Sequence, residues 1–239
     1  MGDFIGLTWI SEHTGIAPVQ PFSVRSQIGT SRRTVTTGEI RLETYPAQLR
    51  PEPTISDHLT FALKHEIIHL EFLSRLFNVI DPATLEDWCR AEPTGGYARR
   101  AGFFYEWLTG RRLNVPDVVA GNYVDGLDSA QYMVASRSTN VQRWRVRDNL
   151  PGTRDFCPVI ARNEKVLEVE RYDCAKALND LEVEFGADVL LRSAVWLTIK
   201  ESRASFAIEH EAQEVNRIHR FAAAMEQRCG QDGDRKSVV

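Results

Sequence analysis

A mainly helical fold is what this sequence predicts, with a small β-hairpin or wing at its N-terminal end and a long irregular region inside it. Three observations carry that expectation. After residue 50, apolar residues recur at the three-to-four spacing of a helix face in most of the chain. Before residue 50, β-branched residues alternate in two short runs bounded by glycines and prolines. Between residues 111 and 163, Pro116, Gly121, Gly126, Pro151, Gly152 and Pro158 interrupt any regular period.

The elements follow in order. Val19 to Ser26 and Thr34 to Glu43 are the strand candidates, with Arg32-Arg33 and Gly38 marking turns. Thr54 is a good N-cap with Asp57 three residues on, and the apolar period after it predicts one long helix to about Asn78. Asp81-Pro82 starts a short helix running through Arg90, with proline at its first turn. Glu92 to Gly96 is a loop, and Tyr97 to Thr109 is a helix that Gly110 stops. The stretch from Arg111 to about Asn163 reads as loop, with one short strand at Gln131 to Ala135. Helices are expected from about Lys165 to Phe185, from Asp188 to Ile208, and onward to Gln227. This gives a β-containing segment over 1–50, a helical region over 51–230 and a frayed tail over 231–239.

Composition narrows the class. The 239 residues are 43% apolar and 26% charged with a formal net charge of −4, ordinary values for a folded protein with a sizeable core. That charge supplies no broad attraction to nucleic acid or to an anionic membrane. Charges interrupt every apolar run well short of the ~20 residues of a membrane-spanning helix. No secretion signal opens the chain, so a cytoplasmic location is expected. Cys89, Cys157, Cys174 and Cys229 are far apart and form no Cys-x-x-Cys pair, so they read as reduced thiols.

One short pattern has metal-site spacing. His65-Glu66-Ile67-Ile68-His69 matches H-E-x-x-H, in which two histidines on one helix face hold zinc and the glutamate acts as base. A third ligand is not obvious: no metzincin glycine and histidine follow, and Glu86, Glu92 and Glu106 are ordinary helix or loop acids. The competing expectation is a pair of core histidines hydrogen-bonded to neighbours, with Glu66 paired to an arginine.

A second set of residues carries a resemblance. Tyr97-Ala98-Arg99-Arg100-Ala101-Gly102-Phe103-Phe104-Tyr105-Glu106-Trp107-Leu108-Thr109-Gly110 is followed by Gly121-Asn122-Tyr123-Val124 and by Arg145-Val146-Arg147-Asp148-Asn149-Leu150-Pro151-Gly152-Thr153. Further on, Ser205 stands four residues before Glu209 within Lys200 to Glu211. This ordered string, from about Gly6 to Gly230, resembles the N-terminal region of Fic-family proteins, including their inhibitory helix. The resemblance implies a family that transfers AMP from ATP to a protein hydroxyl, using a His-Pro-Phe-x-Asp/Glu-Gly-Asn-Gly-Arg loop and magnesium. It gives Glu209 the part of the inhibitory carboxylate, which pairs with an arginine of that loop, and Ser205 the first position of the motif. His210 departs from the pattern, since glycine or asparagine usually follows the glutamate.

The catalytic loop itself does not occur in these residues. Asn216-Arg217-Ile218-His219-Arg220-Phe221 looks like its tail but lacks the glycines, and Val215, Ile218, Phe221, Ala222 and Met225 mark it as continuous helix. A continuous helix has its amides bonded internally and offers no phosphate cradle. The chain is therefore expected to be inactive alone, with no cofactor of its own. Its expected partner is a Fic catalytic core, in cis or in trans, which would bring ATP and Mg; zinc belongs to the hydrolase alternative. Arg137, Arg143, Arg145, Arg147, Arg154 and Arg162 with Trp144 form a basic run, for which a salt-bridged loop is expected before nucleic-acid binding. Trp9 to Ile16 has the rhythm of a helix-turn-helix opening without a convincing second helix. A homodimer is compatible with the sequence, which does not name the protein target.

Overall fold

The structure is a computed structural model that describes residues 3–208, with only the backbone described for 202, 203 and 205–208. The chain divides into two compact units, Met1–Val166 and Leu167–Val239. Mainly helical overall, it has β-strands near the N-terminus and a later irregular region. No helix among the described residues is long and apolar enough to cross a membrane.

Strand β1 (Phe4–Ile5) runs straight into helix α1 (Leu7–Thr14), and β2 (Val24–Gly29), β3 (Arg33–Thr37) and β4 (Ile40–Pro46) follow. The strand candidate Thr34 to Glu43 is itself a hairpin of β3 and β4, with Val35 opposite Leu42 and Gly38 in the turn, and the candidate Val19 to Ser26 is strand only from Val24. The sheet order β1-β2-β4-β3 makes β2 and β4 parallel neighbours, Val24 beside Arg41 and Ser26 beside Glu43. A hairpin of adjacent runs does not predict that pairing, because the strand that intervenes in sequence sits at the sheet edge. One face of this sheet buries Ile5 and Tyr45 against Phe61.

Helix α2 (Ile55–His65) starts where expected, with the Thr54 side chain accepting from the Asp57 amide at 3.1 Å. The predicted helix to Asn78 is corrected here: it breaks at Glu66 and resumes as α3 (Leu70–Val79) with His69 as its N-cap. The freed backbone groups are taken up by distant residues. The Tyr132 hydroxyl accepts from the Ile68 amide at 3.0 Å and donates to the Glu66 carbonyl at 3.3 Å. Arg100 Nη1 donates to the Leu63 carbonyl at 3.3 Å. Buried backbone groups must find partners, and these three bonds let a break persist inside an apolar period.

Helix α4 (Pro82–Ala91) begins at the Asp81 cap, and α5 (Gly96–Thr109) ends at Gly110, as the sequence indicates. Helix α5 is the hub of the first unit, packing on α2, α3 and α4. Its Ala98, Ala101, Phe103, Phe104 and Tyr105 join Ile10, Leu59, Phe72, Leu76 and Leu85 in one core. Each fully buried large side chain of this kind contributes about 1.5–3 kcal/mol.

The region from 111 to 163 is mostly irregular but holds a second sheet, of order β5-β7-β6, from β5 (Val124–Asp125), β6 (Thr139–Val141) and β7 (Val146–Asp148). At 131–135 the expected strand reduces to a single bridge, Tyr132 to Ala161.

The expected helix from Lys165 to Phe185 is two: α6 (Glu164–Arg171), and α7 (Cys174–Phe185), whose Asp173 cap accepts from the Lys176 amide. In the second unit α7 packs on α8 (Ala187–Ile208). The helix expected to Gln227 and the tail lie outside the described residues.

Candidate functional site

The metal-spaced pattern is taken apart by the break between α2 and α3. His65, the last residue of α2, packs its ring on Tyr45 and Phe61, with centroids 5.4 and 4.8 Å away, and burial lowers its pKa. His69 turns to the start of α3, where Nδ1 accepts from the Phe72 amide at 3.2 Å and Nε2 lies 3.2 Å from the Gln20 carbonyl. Those two contacts fix the neutral tautomer with the proton on Nε2. Glu66 is only 3% exposed, and its Oε2 accepts from the Leu7 amide at 2.8 Å. The two rings thus no longer share a helix face, and Glu66 caps α1 instead of pairing with an arginine. No group of three or more His, Cys, Asp or Glu residues among those described is placed to hold a metal ion.

Helix α2 supplies a second cap as well. His58, 2% exposed, accepts from the Gly6 amide through Nδ1 at 3.1 Å and stacks on Trp9 at 3.7 Å. One side chain of α2 and the side chain of its C-cap therefore hold the N-cap amide and the first amide of α1. Gly6 is required at this junction: its φ is +66°, and a Cβ there would overlap the Glu66 carboxylate.

The three strings that carry the resemblance come together around α5. Val124 and Val146 are paired neighbours in the second sheet, and both β5 and β7 pack on α5. The turn before β7 puts Arg145 at φ 47°, an uncommon conformation for a residue with a side chain. Trp144, buried at 2% exposure, lies against Gly102 of α5. Its Nε1 donates to Glu106 Oε2 at 2.9 Å, and Glu106 Oε1 accepts from Arg143 Nε and from the Leu113 amide, each at 3.0 Å. Glu106 thereby fastens the 113–117 loop and the 143–144 turn to one helix. Glu106→Gln keeps the shape but turns an amide donor toward these donors, so a loss of about 1–2 kcal/mol is expected in urea unfolding. A midpoint unchanged from the parent would show that the carboxylate is not the fastener.

No known family, curated protein or solved structure matches this chain.

The basic run is spent largely on the fold. Arg143 pairs with Glu106 and Asp117, Arg147 with Asp125 at 2.5 Å, and Arg145 donates to the Gly121 carbonyl at 2.6 Å while lying over Tyr123. Arg162 donates to the Tyr132 carbonyl at 3.2 Å.

Between the end of α4, the 92–94 loop, α5 and the 115–120 segment lies a cavity of about 380 Å³. Its wall is mainly apolar, from Val115, Pro116, Val118, Val119, Ala120 and the Trp144 ring. Cys89 is on that wall, its Sγ 3.5 Å from the Ala98 carbonyl and its pKa pushed up to about 12 by burial. It stays a thiol at neutral pH and is no nucleophile. Arg99 also lines the cavity and is 4% exposed. Sequence reading missed it as a site residue, because an arginine among Tyr97, Ala98 and Arg100 looks like a solvated helix position. Of the regulatory pair, Ser205 falls within α8 and Glu209 lies outside the described residues.

Proposed function

We propose that this chain is the regulatory portion of a Fic-type protein AMP transferase and acts on a catalytic core in cis or in trans. The observation that carries the reading is the ordered occurrence of residues 97–110, 121–124 and 145–153, which occupy one continuous block of α5, β5 and β7.

In this reading Glu209 is the switch. Its carboxylate pairs with an arginine of the core's phosphate loop and holds the site against the productive seat of the ATP terminal phosphate. A charge-assisted pair of this kind is directional enough for one side chain to control the site. Ser205 stands four residues before it in the sequence, at the first position of the motif. The core supplies the histidine base, ATP and Mg; the protein hydroxyl that receives AMP is unassigned.

With labelled ATP and magnesium the chain alone should label neither itself nor added protein. Added to a Fic core whose own inhibitory glutamate has been removed, it should lower the rate of AMP transfer, and Glu209→Gly should restore that rate. Equal effects of the parent chain and Glu209→Gly on the core would end the switch assignment. The zinc-hydrolase alternative has its own check, metal analysis of the purified chain. Stoichiometric zinc that disappears in a His65→Ala/His69→Ala variant would put that alternative first.

A further inference from the structure

We propose that the cavity beside α5 is a binding site for a small monocarboxylate with an apolar body, its charge received by Arg99. At about 380 Å³ the cavity has the volume of a small-ligand site. The proposal starts from a charge without a counter-charge. Buried arginines are almost always paired, because removing a guanidinium from water is costly unless an anion or several acceptors replace the hydration. Arg99 Nη1 has only two backbone carbonyls, of Asn122 at 2.8 Å and Arg145 at 3.4 Å. Its Nε is buried without a hydrogen-bond partner, and among the described residues no carboxylate lies within ion-pair distance of it. Burial, and after it the field of a second cation, Arg145, lowers the Arg99 pKa.

Of the other charges on the wall, Glu92 is exposed to water and two are matched. Arg90 is held by Glu86 and Asp87, and Asp117 by Arg112 and Arg143. Arg99 is therefore the one buried charge on a mainly apolar wall. A phosphate, with up to two charges and three acceptor oxygens, would want several donors that this wall does not provide. A single carboxylate satisfies one guanidinium fork, and an aliphatic or aromatic body fills the space between Val115, Val118 and Trp144. Both a free organic acid and the C-terminal residue of a peptide have this chemistry.

The test is calorimetric titration of the full chain with four probes: 4-methylpentanoate, its amide, acetyl-Ala-Ala-Leu with a free C-terminus, and the same peptide amidated. At least one carboxylate form should bind, with the matching amide weaker by roughly tenfold or more. Binding of the free acid assigns a small-molecule ligand, and binding of the peptide alone assigns a chain end. Arg99→Met should lose the carboxylate preference, and Arg99→Lys should recover part of it. Because Arg99 also ties two carbonyls, a variant that leaves folding intact is needed beside these. Val119→Glu changes a wall residue that is 89% exposed and places a carboxylate at the cavity mouth. It should melt like the parent and weaken carboxylate binding roughly fivefold or more by competing for Arg99. Acid and amide binding alike, no probe binding at millimolar concentration, or Val119→Glu binding as the parent does would each overturn the assignment.

Discussion

Replacing Gly102 with alanine is expected to cost about 2–4 kcal/mol of stability, although the position is inside a helix. Helix propensity alone argues the opposite, since alanine is better than glycine there by about 1 kcal/mol. The space decides the sign. A Cβ on Gly102 would enter the ring of Trp144, with Cζ2 only 2.7 Å away and two further ring atoms nearer still. That ring is buried, rigid and tied through Nε1 to Glu106, so it has no flexible end that can give way. Overpacking of this kind costs about 1–3 kcal/mol, and displacing the indole adds the loss of a hydrogen bond to a carboxylate. Gly96→Ala is the internal control, because the added methyl would meet only Val124 Cγ1 at an ordinary 3.7 Å. Urea unfolding should show Gly102→Ala strongly destabilised and Gly96→Ala at or above the parent. Trp144→Leu should be partly redundant with Gly102→Ala, giving a double variant more stable than the sum of the single losses. Full additivity would mean that the two side chains do not meet.

The second large effect concerns pH. Burial raises the Glu66 pKa from 4.5 to about 7, with the Leu7 amide pulling it back only in part. Burial lowers the His58 pKa from 6.5 to about 4, which leaves Nδ1 free to accept from Gly6. The two groups drive stability in opposite directions. Glu66 binds more protons folded than unfolded between pH 4.5 and 7, so its contribution is present below 4.5 and lost as pH rises to 7. His58 binds fewer protons folded than unfolded between pH 4 and 6.5, so its contribution grows as pH rises through that window. At about 1.4 kcal/mol per pH step each, the two slopes nearly cancel from pH 4.5 to 6.5 in the parent. Glu66→Gln should uncover a gain of about 3 kcal/mol, relative to the parent, as pH rises through the Glu66 window. His58→Asn, which still offers an acceptor to Gly6, should uncover a loss of about 3 kcal/mol as pH rises through the His58 window. Denaturation curves across pH 4 to 8 read this directly. Differences between variant and parent that stay flat with pH would show that neither group titrates as its burial dictates.

Much of the helical framework was legible because its signals are local. Thr54 with Asp57, Asp81 with Pro82, and Thr109 before Gly110 each act within one turn, so the starts of α2 and α4 and the end of α5 follow from short windows of sequence. The turn at Gly38 was legible for the same reason, though not that it splits the 34–43 run into two paired strands. The break in the 54–78 helix was not. Its apolar period continues through Glu66, and nothing nearby in sequence marks it.

By itself, the sequence determined the helical class, the caps, the turn at Gly38 and the order of the strings on which the functional proposal rests. Only the tertiary structure decided that Glu66 caps α1, that Trp144 occupies the space Gly102 leaves, and that Arg99 sits uncompensated beside an apolar cavity. The reason is range: a cap or a turn is settled by neighbours three or four residues off. Glu66 answers to an amide 59 residues away, and Trp144 to a carboxylate 38 residues away. Partners that distant are chosen by packing, which no local pattern records.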